Sequence, residues 1–157
     1  MHEIMLENIE VLTHSSIRIN KNNIIYIDPF RIEKSYNDAD LVFITHDHYD
    51  HYSEEDTDKV KKADTVFIVP EGLSVKLLKK GIKQESIIAI EPNQTNRALG
   101  ISFEAIPAYN VNKTFHPKEN DWIGYIIEID GIRYYFAGDT DINEYNRKQK
   151  AKTLLYE

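Results

Sequence analysis

The densest chemistry in the chain lies in Thr45-His46-Asp47-His48-Tyr49-Asp50-His51, where three of the six histidines fall within one short run. Asp47 and Asp50 are interleaved with them. Imidazole nitrogen and carboxylate oxygen are the donors that zinc and other borderline divalent metals take, and a tight group of such side chains can surround two ions. The apolar run Leu41-Val42-Phe43-Ile44 comes directly before, so the cluster reads as metal ligands delivered at the end of a strand. A solvated polar loop is the bland alternative, and three histidines plus Asp50 at this spacing argue against it.

A second metal-capable carboxylate, Asp139, sits in Gly138-Asp139-Thr140-Asp141, again after a strand-like run. His116 lies in a polar stretch, Tyr109 to Asp121, and is the only histidine downstream of residue 51. The chain contains no cysteine, so any metal would be held by nitrogen and oxygen. That absence also fits a reducing cytoplasm. Nitrogen and oxygen donors suit zinc first, with manganese or iron as alternatives.

With 157 residues, 41% hydrophobic and 29% charged, the chain suits a single globular domain over 1–157 with a real core. No run approaches the roughly 18 consecutive apolar residues of a membrane span. The first residues, Met1-His2-Glu3-Ile4-Met5-Leu6-Glu7, carry acids where a secretory signal carries bases. A formal charge of −7 argues against a nucleic-acid-binding face, which needs clustered Lys and Arg. It leaves room for an anionic small-molecule substrate, because bound divalent ions would reverse the local field.

The elements that must position these residues follow from pattern. Ile9 to Thr13, Ile17 to Ile19 and Ile24 to Ile27 read as an antiparallel meander, with Lys21-Asn22-Asn23 as a turn. Asp28-Pro29-Phe30 ends the third strand, since proline cannot donate to a ladder, and 31–40 is a polar connection. Ser53 is a helix N-cap followed by three acids, in a surface helix predicted to run to about Lys62. Thr65 to Val69 is a buried strand. A helix over about 72–80 should bury Leu73, Leu77 and Leu78, with Gly81 as its stop. Strands follow at Ser86 to Ile90, Ile101 to Ile106, Trp122 to Ile129 and Ile132 to Ala137. The last two flank Asp130-Gly131, a two-residue hairpin signal. Strands that deliver ligands at their ends, with surface helices between them, indicate an α/β layered fold with a site at one sheet edge.

Taken together, His46-x-His48-x-Asp50-His51 after an apolar strand, the later histidine loop and Gly138-Asp139-Thr140 resemble the metallo-β-lactamase superfamily. Thr13-His14-Ser15-Ser16, Ile27-Asp28-Pro29-Phe30, Ala108-Tyr109-Asn110 and Tyr134-Tyr135-Phe136-Ala137-Gly138-Asp139-Thr140 are similar to its small bacterial and archaeal metal-dependent hydrolases, which include the ascorbate-6-phosphate lactonase type. The resemblance spans nearly all of 9–142 and implies an αββα sandwich. It also implies a first metal held by His46, His48 and a later histidine, a second using Asp50 and His51, and Asp139 bridging them. His116 is the favoured third ligand of the first metal, although the family places that ligand at a strand end that Asn110 could occupy. In the family His14 lies near the site. Asp28 reads as a structural residue or as an acceptor for a ligand imidazole.

The resemblance implies a metal-activated water that attacks an ester, lactone or phosphodiester, with Asp50 moving the proton. Family members continue beyond the Gly-Asp-Thr segment through further strands, a helix and a last histidine. Here only 142–157 follow, with no histidine. The expectation is therefore a C-terminally truncated or incomplete domain with a weakened second metal site, whose uncovered sheet a second copy of the chain could complete. The alternative function is a non-catalytic metal-binding or interaction protein derived from such an enzyme.

Overall fold

The structure, a computed structural model, describes residues 8–13, 16–45, 53–107, 123–136 and 153–155. It divides into two compact units, Met1–Ala89 and Ile90–Glu157. Among the described residues there are two sheets, one of six strands and one of five.

The first sheet opens with the expected meander. β1 (Ile9–Thr13), β2 (Ser16–Asn20) and β3 (Ile24–Ile27) pair antiparallel in turn. β4 (Leu41–Phe43) and β5 (Val66–Pro70) then add in parallel, and β6 (Ile87–Ile90) closes the order β1-β2-β3-β4-β5-β6. Leu41, Val42 and Phe43 are all fully buried. A parallel strand covered on both faces needs an unbroken apolar run, which is why 41–44 shows no alternation. Register mates Tyr26, Val42 and Phe67 share a core with Val60 of α1 (Glu54–Val60) and Leu73 and Leu77 of α2 (Glu71–Lys79).

Most buried polar groups described in this unit are hydrogen-bonded, with Thr57 Oγ1 an exception. The Tyr26 hydroxyl donates to Asp38 at 2.8 Å and accepts from Arg18 Nε at 3.0 Å, while Arg18 also bonds Asp38 at 2.8 Å. Burial holds the phenol well above its ordinary pKa. Asp40 stitches three strands where β4 begins. Its amide donates to Ile24 O, its carboxylate accepts from Ile24 N, and its carbonyl accepts from Val66 N.

Both helices depart in detail from the sequence reading. α1 stops at Val60 instead of near Lys62, because the 37–39 connection takes its last carbonyls. Asn37 Nδ2 donates to Asp58 O and Lys61 O, Asn37 N to Lys59 O, and Ala39 N to Val60 O. Nor is α1 wholly a surface helix, since Asp56, Thr57 and Val60 are buried. In α2, Leu73 and Leu77 are buried as expected, but Leu78 is 45% exposed. One residue on from Leu77 is a turn of about 100°, which carries Leu78 off the core-facing stripe. Gly81 ends the segment at φ 89°.

The second sheet runs β11-β10-β9-β8-β7. β8 (Ile101–Pro107) shows the expected alternation, with Ile101, Phe103 and Ala105 buried against half-buried Ser102 and Glu104. β9 (Ile123–Ile129) and β10 (Ile132–Phe136) form the expected hairpin, with Asp130 and Gly131 at φ 53° and 77°, as a type I′ turn requires. Two strands escaped the sequence reading. β7 (Thr95–Ala98) pairs with β8 through Leu99-Gly100, also at positive φ. Its Thr-Asn-Arg-Ala sequence is exposed and carries no apolar alternation, as suits a charged edge. β11 (Thr153–Leu155) pairs parallel with β10 from within the C-terminal stretch 142–157.

Burial alone would raise the Asp40 carboxyl, but hydrogen bonds from Lys62 Nζ, 2.7 Å away, and from Ile24 N outweigh it and hold the pKa below its ordinary value. A depressed carboxyl stabilises the fold above its unfolded pKa of about 3.9, and that stability is lost as pH falls through the folded value. Asp40→Asn should therefore flatten the acid limb of the stability–pH profile, measured by urea denaturation between neutral pH and the acid transition.

Candidate metal centre

The histidine segment begins immediately after Thr45 and ends two residues before Ser53, and both flanks are fixed. At the first flank the β4 ladder continues past the strand, with Asp28 N donating to Phe43 O at 2.9 Å and Ile44 N to Ile68 O at 3.0 Å. The chain then leaves the sheet, and Thr45 needs another acceptor. Asp28 provides it. Its Oδ1 accepts from Thr45 N and its Oδ2 from Thr45 Oγ1, each at 2.8 Å, with both residues fully buried. Parallel pairing makes this contact available, because the register Ile27 to Phe43 places the ends of β3 and β4 side by side.

The second flank is a helix start. Ser53 caps α1, its Oγ accepting from Asp56 N at 3.2 Å. An acid three residues after a serine cap ordinarily reaches back to the cap's own amide. Here the Asp56 carboxylate is used elsewhere, accepting from Arg31 N and Ile32 N, each at 2.9 Å. Lys59 Nζ adds a bond to Ile32 O at 2.8 Å.

Both flanks are thus tied to one short segment, Asp28–Ile32. Asp28 and Arg31 have φ of 48° and 55°. This left-handed region costs L-residues roughly 1–2 kcal/mol, with aspartate among the better tolerated. Phe30 N donates to the buried Ser16 Oγ at 3.1 Å, which pins the segment between its two ends.

Within the second unit, taken by itself, two strands also end before stretches that carry predicted ligands. β8 and β10 both run antiparallel to β9, so their C-terminal ends emerge at the same edge of the sheet, one strand apart. The spacing is about 10 Å, two ladder steps. From that edge the chain enters the stretches that carry His116 and Asp139.

The predicted ligands His46, His48, Asp50, His51, His116 and Asp139 all lie outside the described residues, as do His14 and Asn110. Among the described residues, no three His, Asp or Glu side chains group as a metal site. Asp28 fits the structural role expected of it, with Thr45 as the partner seen. The hydrogen bonds of Thr45 to Asp28 and of Asp56 to Arg31 and Ile32 are contacts that sequence reasoning missed. Asp56 was legible as a first-turn acid, but its partners lie 24 and 25 residues away.

Asp28→Ala would leave the Thr45 amide and hydroxyl buried without this acceptor, at about 1–3 kcal/mol per group, a total of about 2–6 kcal/mol. Asp28→Asn should cost less, since its amide oxygen can accept from Thr45 N and its NH2 can donate to Thr45 Oγ1. Urea denaturation of the two variants checks the order, and equal losses would contradict the hydrogen-bond role.

Comparison with known proteins bears on the family and the fold. A beta-lactamase superfamily domain matches residues 11–156. The chain is 31% identical over 137 residues to a metal-dependent hydrolase of Methanoregula boonei, covering 83% of this chain and 58% of that protein. A candidate metal-dependent hydrolase from Parabacteroides distasonis superposes with a TM-score of 0.75 at 30% identity, over 93% of this chain and 67% of that one. A metallo hydrolase from the archaeon Ignicoccus hospitalis shares the fold, with a TM-score of 0.65 at 24% identity over 87% of this chain and 62% of that one. The chain spans between 28% and 61% of the length of the curated relatives it matches. Buried parallel strands, a histidine segment released at a strand end and a matched domain along nearly the whole chain lead to one assignment: the chain belongs to the beta-lactamase superfamily and has the α/β metallo-β-lactamase fold.

Proposed function

We propose that the protein is a metal-dependent hydrolase acting on a small molecule with an ester, lactone or phosphodiester bond. The observation that carries this reading is His46-x-His48-x-Asp50-His51 placed between two anchored flanks, Thr45 and Ser53. The donor set fits a borderline divalent cation, since it offers imidazole and carboxylate and no thiolate. His46, His48 and His116 would hold a first ion, Asp50 and His51 a second, and Asp139 both, with Asn110 the alternative to His116. A bound divalent ion, zinc before manganese or iron, would lower the pKa of a water toward neutrality and so supply the nucleophile. Asp50 would take up and return the proton as the bond to the leaving group breaks.

The superfamily relatives called metal-dependent hydrolases support the reaction class. The lactone is the substrate suggested by the motif's similarity to the lactonase type. A net charge of −7 disfavours nucleic acid as substrate. Among the described residues no helix is long and apolar enough to cross a membrane. A second copy of the chain is the proposed macromolecular partner, by the pairing logic of exposed edge strands.

The test begins with chelated protein titrated with zinc, where uptake of one or two ions per chain is expected. No uptake overturns the metal reading. A panel of lactones, esters and phosphodiesters then measures turnover. His48→Ala should lower both zinc affinity and turnover by more than about tenfold to a hundredfold, the loss that even an outer partner of a ligand typically causes. A wild-type protein that binds zinc but turns over nothing on the panel would favour the non-catalytic alternative.

A further inference from the structure

We propose that Asp56 is a positioning residue for the metal centre: its buried carboxylate clasps Asp28–Ile32 to the first turn of α1, so that both ends of the histidine segment are held against one piece of backbone. The inference presupposes that the histidine segment binds a divalent cation.

Three observations support it. The first is where the hydrogen bonds go. Asp56 is 7% exposed, and its two oxygens are spent on two consecutive amides, Ile32 N and Arg31 N, in another part of the chain. The second is strain. Arg31 holds φ 55° without being glycine. Non-glycine residues keep that conformation where the surroundings over-determine it, and such residues cluster at functional sites. The bond from Arg31 N to Asp56 is the restraint seen here. The third is closure. Asp28 holds Thr45 before the histidines, and Asp56, in the first turn after them, holds the segment that begins with Asp28. Thr45 and Ser53, the described residues on either side of the histidines, are therefore both tied through Asp28 and Asp56 to the segment Asp28–Ile32.

Cation binding needs several ligands in place at once, so it depends on how much of the loop's freedom has been removed beforehand. By thermodynamic reciprocity, if the closed clasp raises zinc affinity, zinc must stabilise the closed clasp by the same factor. A residue that only stabilised the fold would raise the melting temperature without that specific coupling.

The experiment uses the full chain with zinc as the only ligand. Hydrogen exchange of the Arg31 and Ile32 amides is followed in chelated and zinc-loaded wild-type protein, with amides of α2 (Glu71–Lys79) as internal reference. Slowing of both amides by about tenfold or more on zinc loading, beyond any change in the reference, is expected. Alongside it, Asp56→Asn, which turns one acceptor into an NH2 group facing an N–H, should weaken zinc binding by about tenfold. Asp58→Asn, which removes an exposed acid of the same helix, should leave zinc binding within about threefold, as expected for an exposed surface pair. Asp56→Glu, keeping the charge, should fall between them if Asp56→Asn folds poorly. Unchanged exchange at Arg31 and Ile32 in a wild-type protein that takes up zinc overturns the clasp alone. Failure of wild type to take up zinc overturns the metal reading and the clasp with it.

Discussion

The bidentate contact from Asp28 to Thr45 is the interaction on which the candidate centre depends, because it fixes the point at which the chain leaves the sheet. It is available only because β3 and β4 are parallel and adjacent, so that their C-terminal ends coincide. An antiparallel β4 would have released the histidines at the opposite edge. The register also explains why Asp28 enters the left-handed region, at φ 48°, where strand geometry ends and its carboxylate serves the neighbouring strand. A short polar side chain tolerates that conformation better than a branched one.

The same logic operates in the second unit with other strands. Alternating directions across β8, β9 and β10 bring the ends of the first and third strands to one edge. Asp130 and Gly131 make this outcome possible by closing β9 onto β10 with a turn that matches strand twist. Each candidate ligand stretch therefore follows a strand whose last residues are buried: Phe43 before the histidines, Ile106 before the His116 stretch and Phe136 before Asp139. Packing immobilises the root of each stretch, and the polar chemistry is left to the residues beyond it.

What was legible in the sequence was whatever local pattern decides alone. The run 41–44, the alternation of β8, the turn at 130–131 and the serine cap at 53 each carry their cause within a few residues. What was not legible required a partner far along the chain. β7 is a strand because β8 offers it a ladder, and its own residues have no strand pattern. The end of α1 is set by Asn37 and Ala39, which no helix propensity contains. Asp56 shows the limit most clearly: its place in a helix's first turn was predictable, and its bonds to Arg31 and Ile32 were not. For the candidate site, residue types, spacing and the family resemblance gave expected ligands that lie outside the described residues, while the anchoring of the flanks at Thr45 and Ser53 emerged only from the fold.

A division of labour between apolar and polar burial follows. Tyr26, Val42, Phe67, Leu73 and Leu77 supply the non-directional part of the stability, since burial rewards area removed from water and leaves orientation loosely specified. A loop that must present several donors together needs orientation as well, and hydrogen bonds to carboxylates provide it through length and angle. Burying Asp28 and Asp56 would be costly if their oxygens lacked partners. Each instead accepts two bonds from amides or a hydroxyl next to the histidine segment or in the turn that braces it. Replacing either acid with an apolar side chain would keep the area and lose the direction.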